Sequence, residues 1–302
     1  MVKKISILTS LYNCENFLQD YFEALAKIEG KEQIEVLLLH NAPQEKELAV
    51  IAEHLPSFDF VRHIIIPSRE TLYRTWNRGI LLSEGEYITV WNVDDVRFPG
   101  SILQQAEALD KNPQAAITYG DIWVSDQYAV KSGIKTNSPV YNSHTHKRFL
   151  HEYHISCFQM WRKSIHQTMG YYDEQFKCSA DLDFQIRAAI HFPFVKTDDA
   201  LGIYLEDQPH KLSANGLQCL ENNIIHLRYG AYQHLNIFLL RRSKKKYRQH
   251  QLLFNNQWQD LQESIQFNRL YQYKGLVFAM MSSCYWGLKQ FAKRIIYPHG
   301  KK

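Results

Sequence analysis

The chain has 302 residues, with 35 Lys and Arg against 31 Asp and Glu, a formal net charge of +4. That length supports one large domain or two smaller ones with a substantial core. The five cysteines (Cys14, Cys157, Cys178, Cys219 and Cys284) are dispersed with no CxxC pair, which argues against a disulfide framework or a cysteine-built zinc fold and for reduced thiols in a cytoplasmic setting.

The opening Met1-Val2-Lys3-Lys4-Ile5-Ser6-Ile7-Leu8 has too short an apolar stretch for a signal peptide. No run approaches the roughly 18 apolar residues of a spanning helix. The charge is uneven: thirteen Lys and Arg stand after residue 240 against only Asp260 and Glu263, while residues 1–240 carry a net −7. The two parts therefore present different surfaces.

In chain order, Lys4 to Ser10 reads as a first strand. Phe17, Leu18, Tyr21, Phe22, Leu25 and Ile28 recur at helical spacing up to Gly30. Ile34 to Leu39 is a nearly continuous Ile/Val/Leu run, as expected of a strand buried on both faces. His40-Asn41-Ala42-Pro43 is a turn, Gln44 to Leu55 a helix, and Val61 to Ile66 a third strand closed by Pro67. A helix over Thr71 to Leu82 leads into a fourth strand, Tyr87 to Trp91. The spacing then predicts a helix over Ser101 to Leu109, a strand over Ala115 to Tyr119, a long polar loop over 126–150 and a strand over Phe158 to Trp161. A helix over Ala180 to His191 and a last strand over Leu201 to Leu205 precede a polar loop, and after Leu217 the pattern is helical. Strands alternating with helices predict βαβ units and a parallel sheet.

Ligands of open α/β sheets bind outside the carboxyl ends of the strands. Three polar clusters fall at such ends: Thr9 to Glu15, His40-Asn41, and Asn92-Val93-Asp94-Asp95. Adjacent carboxylates past a buried strand repel one another unless a cation or hydrogen bonds hold them. Hard divalent ions prefer carboxylate and phosphate oxygens, so Asp94 and Asp95 are candidate ligands of Mn²⁺ or Mg²⁺. An acidic turn capping the next helix is the plainer alternative.

Several segments together resemble the inverting, family 2-like glycosyltransferases of GT-A fold. Ile5 to Phe17 is similar to that family's opening strand and nucleotide-contacting loop. Arg69 to Asp95, with Trp76-Asn77-Arg78-Gly79-Ile80 and Gly85-Glu86-Tyr87-Ile88, looks like the helix leading into its metal-binding DxD-type motif. Cys157 to Arg187, with Gly170-Tyr171-Tyr172-Asp173-Glu174 and Ser179-Ala180-Asp181-Leu182-Asp183, looks like the acceptor side with its catalytic Asp. The resemblance covers about residues 4–215. It implies a Rossmann-like nucleotide-diphospho-sugar transferase fold with a mostly parallel central sheet, and it leaves 216–302 as a helical, basic C-terminal region. The sequence departs from the pattern at His40-Asn41, where an Asp contacts the nucleobase, and at Asn92, where the DxD-type motif opens with Asp.

What the resemblance implies is transfer of a sugar, with inversion, from a nucleotide-diphosphate donor to a glycan or lipid-linked acceptor hydroxyl. Asp181 would be the general base; Ser179 or Asp181 as a helix cap is the plain alternative. Asp183, two residues on, projects from a different side of the helix. Thr9, Tyr12, Glu15, Asn41, Asn77, Arg78, Asn92 and Asp94 are candidate donor contacts. Asp94 and Asp95, with His210 as a third candidate, would hold the metal. Arg187 would orient a carboxylate or lie on the surface. The histidines at 144, 146, 151 and 154 lack the paired spacing of a zinc site.

Arg241-Arg242-Ser243-Lys244-Lys245-Lys246-Tyr247-Arg248 is polybasic, and 276–296 mixes aliphatics and aromatics with Lys289, Lys293 and Arg294. Such a pattern suits an anionic membrane surface and predicts a peripheral protein on its inner face. A helix packed on the catalytic domain or on a second copy is the alternative, and no nucleic-acid reader motif is present. A catalytically silent nucleotide-sugar-binding or scaffold protein of the same fold is the contrasting reading. A nucleotidyltransferase is disfavoured because no Gly-rich phosphate loop follows the first strand.

Overall fold

The computed structural model describes residues 4–131, 133–141, 149, 155, 157–206 and 216–262, with 275, 277–281, 283–285 and 288. The strands are β1 (Ile5–Leu11), β2 (Ile34–Asn41), β3 (Val61–Ile66), β4 (Tyr87–Val90), β5 (Val96–Arg97), β6 (Ile117–Tyr119), β7 (Trp123–Ser125), β8 (Ile134–Lys135), β9 (Met160–Arg162), β10 (Phe194–Lys196), β11 (Gly202–Leu205), β12 (Gln251–Phe254) and β13 (Gln257–Asp260). The helices are α1 (Glu15–Leu25), α2 (Glu45–His54), α3 (Leu72–Leu82), α4 (Ser101–Lys111), α5 (His166–Met169), α6 (Ala180–His191), α7 (Leu217–Tyr229) and α8 (Ile237–Lys246). The chain forms two compact units, residues 1–174 with 184–211, and residues 175–183 with 212–302.

The first unit is built on a sheet of order β10-β6-β9-β4-β1-β2-β3. Its pairings are parallel except those of β9, which runs antiparallel to both β4 and β6. Burial on both faces explains the apolar runs. Ile5, Ile7, Val36 and Leu38 join α1, α2 and α4 residues such as Leu18, Phe22, Ile51 and Ile102 in one cluster, while Leu8 and Leu39 point to α3. There Gly79 permits a close approach: a Cβ at that position would sit 2.7 Å from Leu39 Cδ1.

The chain passes from β1 to β2 and β3 on one side, then returns to place β4 on the other flank of β1. The strand order reverses between β1 and β4, and at such a reversal the helices diverge and leave a crevice at the carboxyl ends. A second sheet, β5-β11-β7-β8, begins directly after the acidic turn.

The predicted 126–150 loop holds β8, and a three-residue edge strand, β10, also lies outside the predicted elements; runs of two or three residues carry too little alternation to be read. The histidines at 144, 146, 151 and 154 fall outside the described residues.

In the second unit α7 and α8 match the helical expectation, but residues 251–260 form an antiparallel hairpin. Its two-residue loop, Asn255-Asn256, has φ of 48° and 63°, the left-handed pair that a type I′ turn requires and Asn tolerates. Among the described residues no helix is long and apolar enough to cross a membrane.

Candidate active site at the carboxyl ends of β1 and β4

Residues 92–95 form a turn closed by Asp95 N donating to Asn92 O at 3.1 Å, and the indole Nε1 of Trp91 donates to Asp95 O at 3.0 Å. Trp91 is fully buried and its ring meets Tyr21 edge-on at 5.1 Å. The hydroxyls of Tyr21 and Thr9 are 2.7 Å apart. The acidic turn is thus fastened from beneath by a buried column, Thr9–Tyr21–Trp91. Thr9 itself has no exposed surface, so its place is in this support.

Within the turn, Asp95 is buried and Asp94 half-buried. Burial, and then the charge of Asp94, push the Asp95 carboxyl well above the usual carboxylate range. Asn92 Nδ2 lies 3.4 Å from Asp95 Oδ2. An Asp at 92 would add a third negative charge where the amide supplies a donor. The Leu205 main-chain N–H and the Arg97 charge partly favour the ionised form of Asp95, yet Asp95 Oδ1 is buried with no close hydrogen-bond partner among the described residues. Such an atom costs free energy until something fills its valence, and a cation at the mouth of the turn would do so. The donor set, two carboxylates and an amide, is all oxygen on the ligand side and suits a hard divalent ion. Among the described residues no three His, Cys, Asp or Glu side chains cluster as a complete cage. His210, the third candidate ligand, lies outside the described residues.

Surrounding groups respond to this field, and the Arg97 charge partly offsets it. Arg97, fully buried behind the turn, donates to Gln105 Oε1 at 2.7 Å and to Val90 O at 3.0 Å, and lies over the Phe158 ring at 4.7 Å. Burial lowers its guanidinium to about 10, with Cys157 and Asp95 opposing. The Tyr128 phenol is pushed up by burial and then by Asp20, Asp95 and Asp94; Tyr204 is pushed up by burial, Cys157 and the same pair. Tyr128 and Tyr204 had no motif to announce them, since only the folded chain brings them to the turn; Trp91 and Arg97 flank it in sequence, and only their buried contacts were hidden.

The other candidates gather at the ends of β1, β2 and β3. Tyr12 is partly exposed, with the Arg69 guanidinium 3.9 Å from its ring centre and donating to its hydroxyl at 3.2 Å. Asn41 is buried; its amide donates to Thr75 Oγ1 at 2.9 Å and its oxygen accepts from Glu70 N at 3.0 Å. Arg78 pairs with Glu70 at 2.5 Å. Glu15 stands exposed at the start of α1. Asn77 is buried away from these groups: it donates to Tyr172 O and Glu174 Oε1 and accepts from Tyr172 N, each within 3.0 Å.

The loop after β1 is held by a residue of α2. Glu47, fully buried, accepts from Cys14 N at 2.7 Å and Gln44 N at 3.0 Å, and meets His40 Nε2 at 3.2 Å. Burial opposes its charge, yet these hydrogen bonds hold its carboxyl below the usual value. His40 Nδ1 lies 3.0 Å from His63 Nε2. The Gln44-x-x-Glu47 capping box was the available sequence signal for Glu47.

Asp181 and Asp183 belong to the second unit. Asp181 is half-buried, and its Oδ1 accepts from Leu182 N at 2.9 Å. Asp183 is fully buried against Arg228 Nη1 at 2.5 Å and Tyr229 Oη at 2.8 Å, which makes it a structural carboxylate. Arg187, also buried, donates to the carbonyls of Met169 and Tyr171 and so ties down its own loop.

A groove of about 740 Å³ opens at the other end of the sheet, lined among others by Lys4, Gly85, Glu86, Lys163, His166 and Tyr171. Lys4 and Glu86 precede β1 and β4, so this groove lies at the amino ends, opposite the acidic turn.

A family model described as glycosyl transferase family 2 matches residues 6–169, spanning both the β1 loop and the acidic turn. An uncharacterized glycosyltransferase of Methanocaldococcus jannaschii is 23% identical over 61% of this chain and 63% of its own length. EpsE of Bacillus subtilis, assigned as a glycosyltransferase, is 22% identical over 42% of this chain and 46% of its own. The matches therefore span less than two thirds of these relatives. Among solved structures, S. aureus TarS residues 1–349 in complex with UDP-GlcNAc superposes with a TM-score of 0.62 at 15% identity, over 80% of this chain and 73% of that one; this likeness is one of fold.

Proposed function

The chain belongs to glycosyl transferase family 2, and from that premise we propose that it transfers a sugar from a nucleoside-diphosphate donor to a glycan or lipid-linked hydroxyl, with inversion. The observation that carries the reading is Asp95: a buried carboxylate with one oxygen that has no close hydrogen-bond partner among the described residues, beside Asp94, at the strand-order reversal where an open α/β sheet takes its ligand. TarS, of similar fold, was solved with UDP-GlcNAc and with UDP, which supports a nucleoside diphosphate as the donor's leaving group here.

Asp94 and Asp95 would hold a Mn²⁺ or Mg²⁺ ion against the diphosphate. When bound, that ion supplies positive charge that offsets the charge growing on the leaving group. The chain's own residues do the rest. Asn92 holds Asp95 by its amide, the Trp91 indole fixes the turn, and Tyr12 with Arg69 offers a flat cationic face suited to a nucleobase or phosphate. Asp181 takes the proton of the acceptor hydroxyl as the hydroxyl oxygen attacks the anomeric carbon, a step that a positioned base speeds by about 10²–10⁴-fold.

The C-terminal region gives the protein a peripheral membrane role in this reading. On α8, Arg241, Arg242 and Lys244 to Lys246 are exposed beside Phe238, which is 75% exposed. A basic helix with a protruding aromatic fits an anionic bilayer, where a lipid-linked acceptor would reside.

The test is Asp181→Asn with the product's anomeric configuration read by NMR. The variant should bind UDP and Mn²⁺ as the wild type does, while turnover drops at least about 100-fold and the wild-type product shows the anomer opposite to the donor. Full turnover by the variant removes Asp181 as the base.

A further inference from the structure

The second unit devotes two buried charged residues of α7 to the chain on either side of Asp181. Glu221 has no exposed surface. Its Oε1 accepts from Lys177 N at 2.9 Å, and its Oε2 from Cys178 N at 2.8 Å and Ser179 N at 3.0 Å. Three successive main-chain N–H groups thus converge on one carboxylate, and the Tyr247 hydroxyl donates a fourth bond to Oε1 at 3.1 Å. Hydrogen bonds to an ionised acceptor are roughly twice as strong as neutral ones.

Arg228 lies seven residues on, two turns along the same face of α7. It grips Asp183 and donates as well to the carbonyls of Arg248, Gln249 and Gln251 at 2.8–3.0 Å. Glu221 therefore fixes the backbone up to two residues before Asp181, and Arg228 fixes the side chain two residues after it. The burial pattern matches: Ser179, Ala180, Leu182 and Asp183 are buried, and Asp181 alone among 179–183 keeps surface. Burying such charges is a poor way to gain stability, since desolvation consumes most of the attraction. Its return is a defined geometry.

We propose that Glu221 is a positioning residue for the general base, holding the 177–179 segment so that the Asp181 carboxylate meets the acceptor hydroxyl in one orientation; this rests on the reading of Asp181 as the base. Burial followed by the charges of Glu221 and Asp181 raises the Cys178 thiol to about 11, as expected where both carboxylates flank one short segment. Glu221→Gln keeps the shape but sets an amide N–H against main-chain N–H donors. Tyr247→Phe removes one bond and leaves the three main-chain bonds in place.

The experiment measures steady-state release of nucleoside diphosphate from whichever UDP-, GDP- or dTDP-sugar the wild type turns over fastest, with UDP and Mn²⁺ as the binding probe. Glu221→Gln is expected to lower kcat at least tenfold while donor KM and UDP affinity stay within twofold. Tyr247→Phe should lower kcat two- to fivefold with the same split. Adding Glu221→Gln to Asp181→Asn should cost nothing further, because a positioning residue has no effect once its base is gone. Wild-type kcat in folded Glu221→Gln or in Tyr247→Phe, with Asp181→Asn inactive, overturns the role of Glu221 and leaves the base in place. An Asp181→Asn enzyme of full activity, or a wild type that turns over no donor, overturns the proposed chemistry itself and this role with it.

Discussion

The indole of Trp91 donates to the main-chain oxygen of Asp95 at 3.0 Å, so the last side chain before the acidic turn also closes it. This bond links the buried end of β4 to the carboxylates at its mouth. Trp91→Phe keeps the ring against Tyr21 and loses the donor. A lost buried hydrogen bond costs about 1–3 kcal/mol, so denaturant unfolding should show a loss in that range and calorimetry a weaker affinity for UDP with Mn²⁺. Unchanged affinity would mean the turn holds its shape without the indole.

Asp95 gives a pH dependence whose sign is fixed by its raised pKa. A carboxyl that binds its proton more tightly when folded favours folding at low pH, and becomes a cost as pH rises past its ordinary value near 3.9. Metal-free protein should therefore lose stability as pH climbs, and Mn²⁺ should restore it. Asp95→Asn should melt higher than wild type in EDTA at neutral pH, by about 2–4 °C for each kcal/mol relieved, and should gain nothing from Mn²⁺. A lower melting point in EDTA would show that the ionised carboxylate is satisfied without a cation.

His166 carries the opposite sign. Burial lowers it to about 4, and its Nε2 accepts from Trp161 Nε1 at 2.9 Å. Its contribution is intact above the ordinary value near 6.5 and is lost as pH falls through 4, about 3 kcal/mol across that window. His166→Gln keeps an acceptor for Trp161 and cannot titrate, so its stability should vary less between pH 6.5 and 4. An identical slope would assign the acid sensitivity elsewhere.

The exposed cations of α8 predict binding to anionic vesicles. Each basic residue near such a surface is worth about 1 kcal/mol, so replacing Lys244, Lys245 and Lys246 with Glu should lower partitioning into phosphatidylglycerol vesicles by more than about 100-fold, with little effect on neutral ones. Equal sedimentation would leave the cluster as a solvated helix face.

The parallel strands themselves were legible because β1 and β2 are long and buried on both faces, and because helices separate them from each other and from the half-exposed edge strand β3; their order in the sheet was not. The acidic turn was legible because Asn, Asp and Pro break an apolar run abruptly. What the sequence concealed is of three kinds. Asn41 and Asn77 read as ligand contacts by position, yet both are buried and spend their amides on main-chain and side-chain partners of distant segments. Such long-range pairing leaves no local pattern. The hairpin of residues 251–260 hid inside a basic, helix-like composition, although its Asn255-Asn256 pair is the turn chemistry that a two-residue loop demands. Glu221 and Arg228 lie in a stretch whose pattern shows only a helix, and only their burial reveals what they hold.

On the proposed function, Asp94 and Asp95 take a divalent ion together with a nucleoside diphosphate. Isothermal titration of UDP and GDP into the wild type and into Asp94→Asn and Asp95→Asn, with Mn²⁺ and then with EDTA, tests it most directly. The wild type is expected to bind at least one of them only with Mn²⁺, with affinity at least tenfold lower in each variant. Equal affinity with and without the metal, or undiminished affinity in both variants, would contradict it.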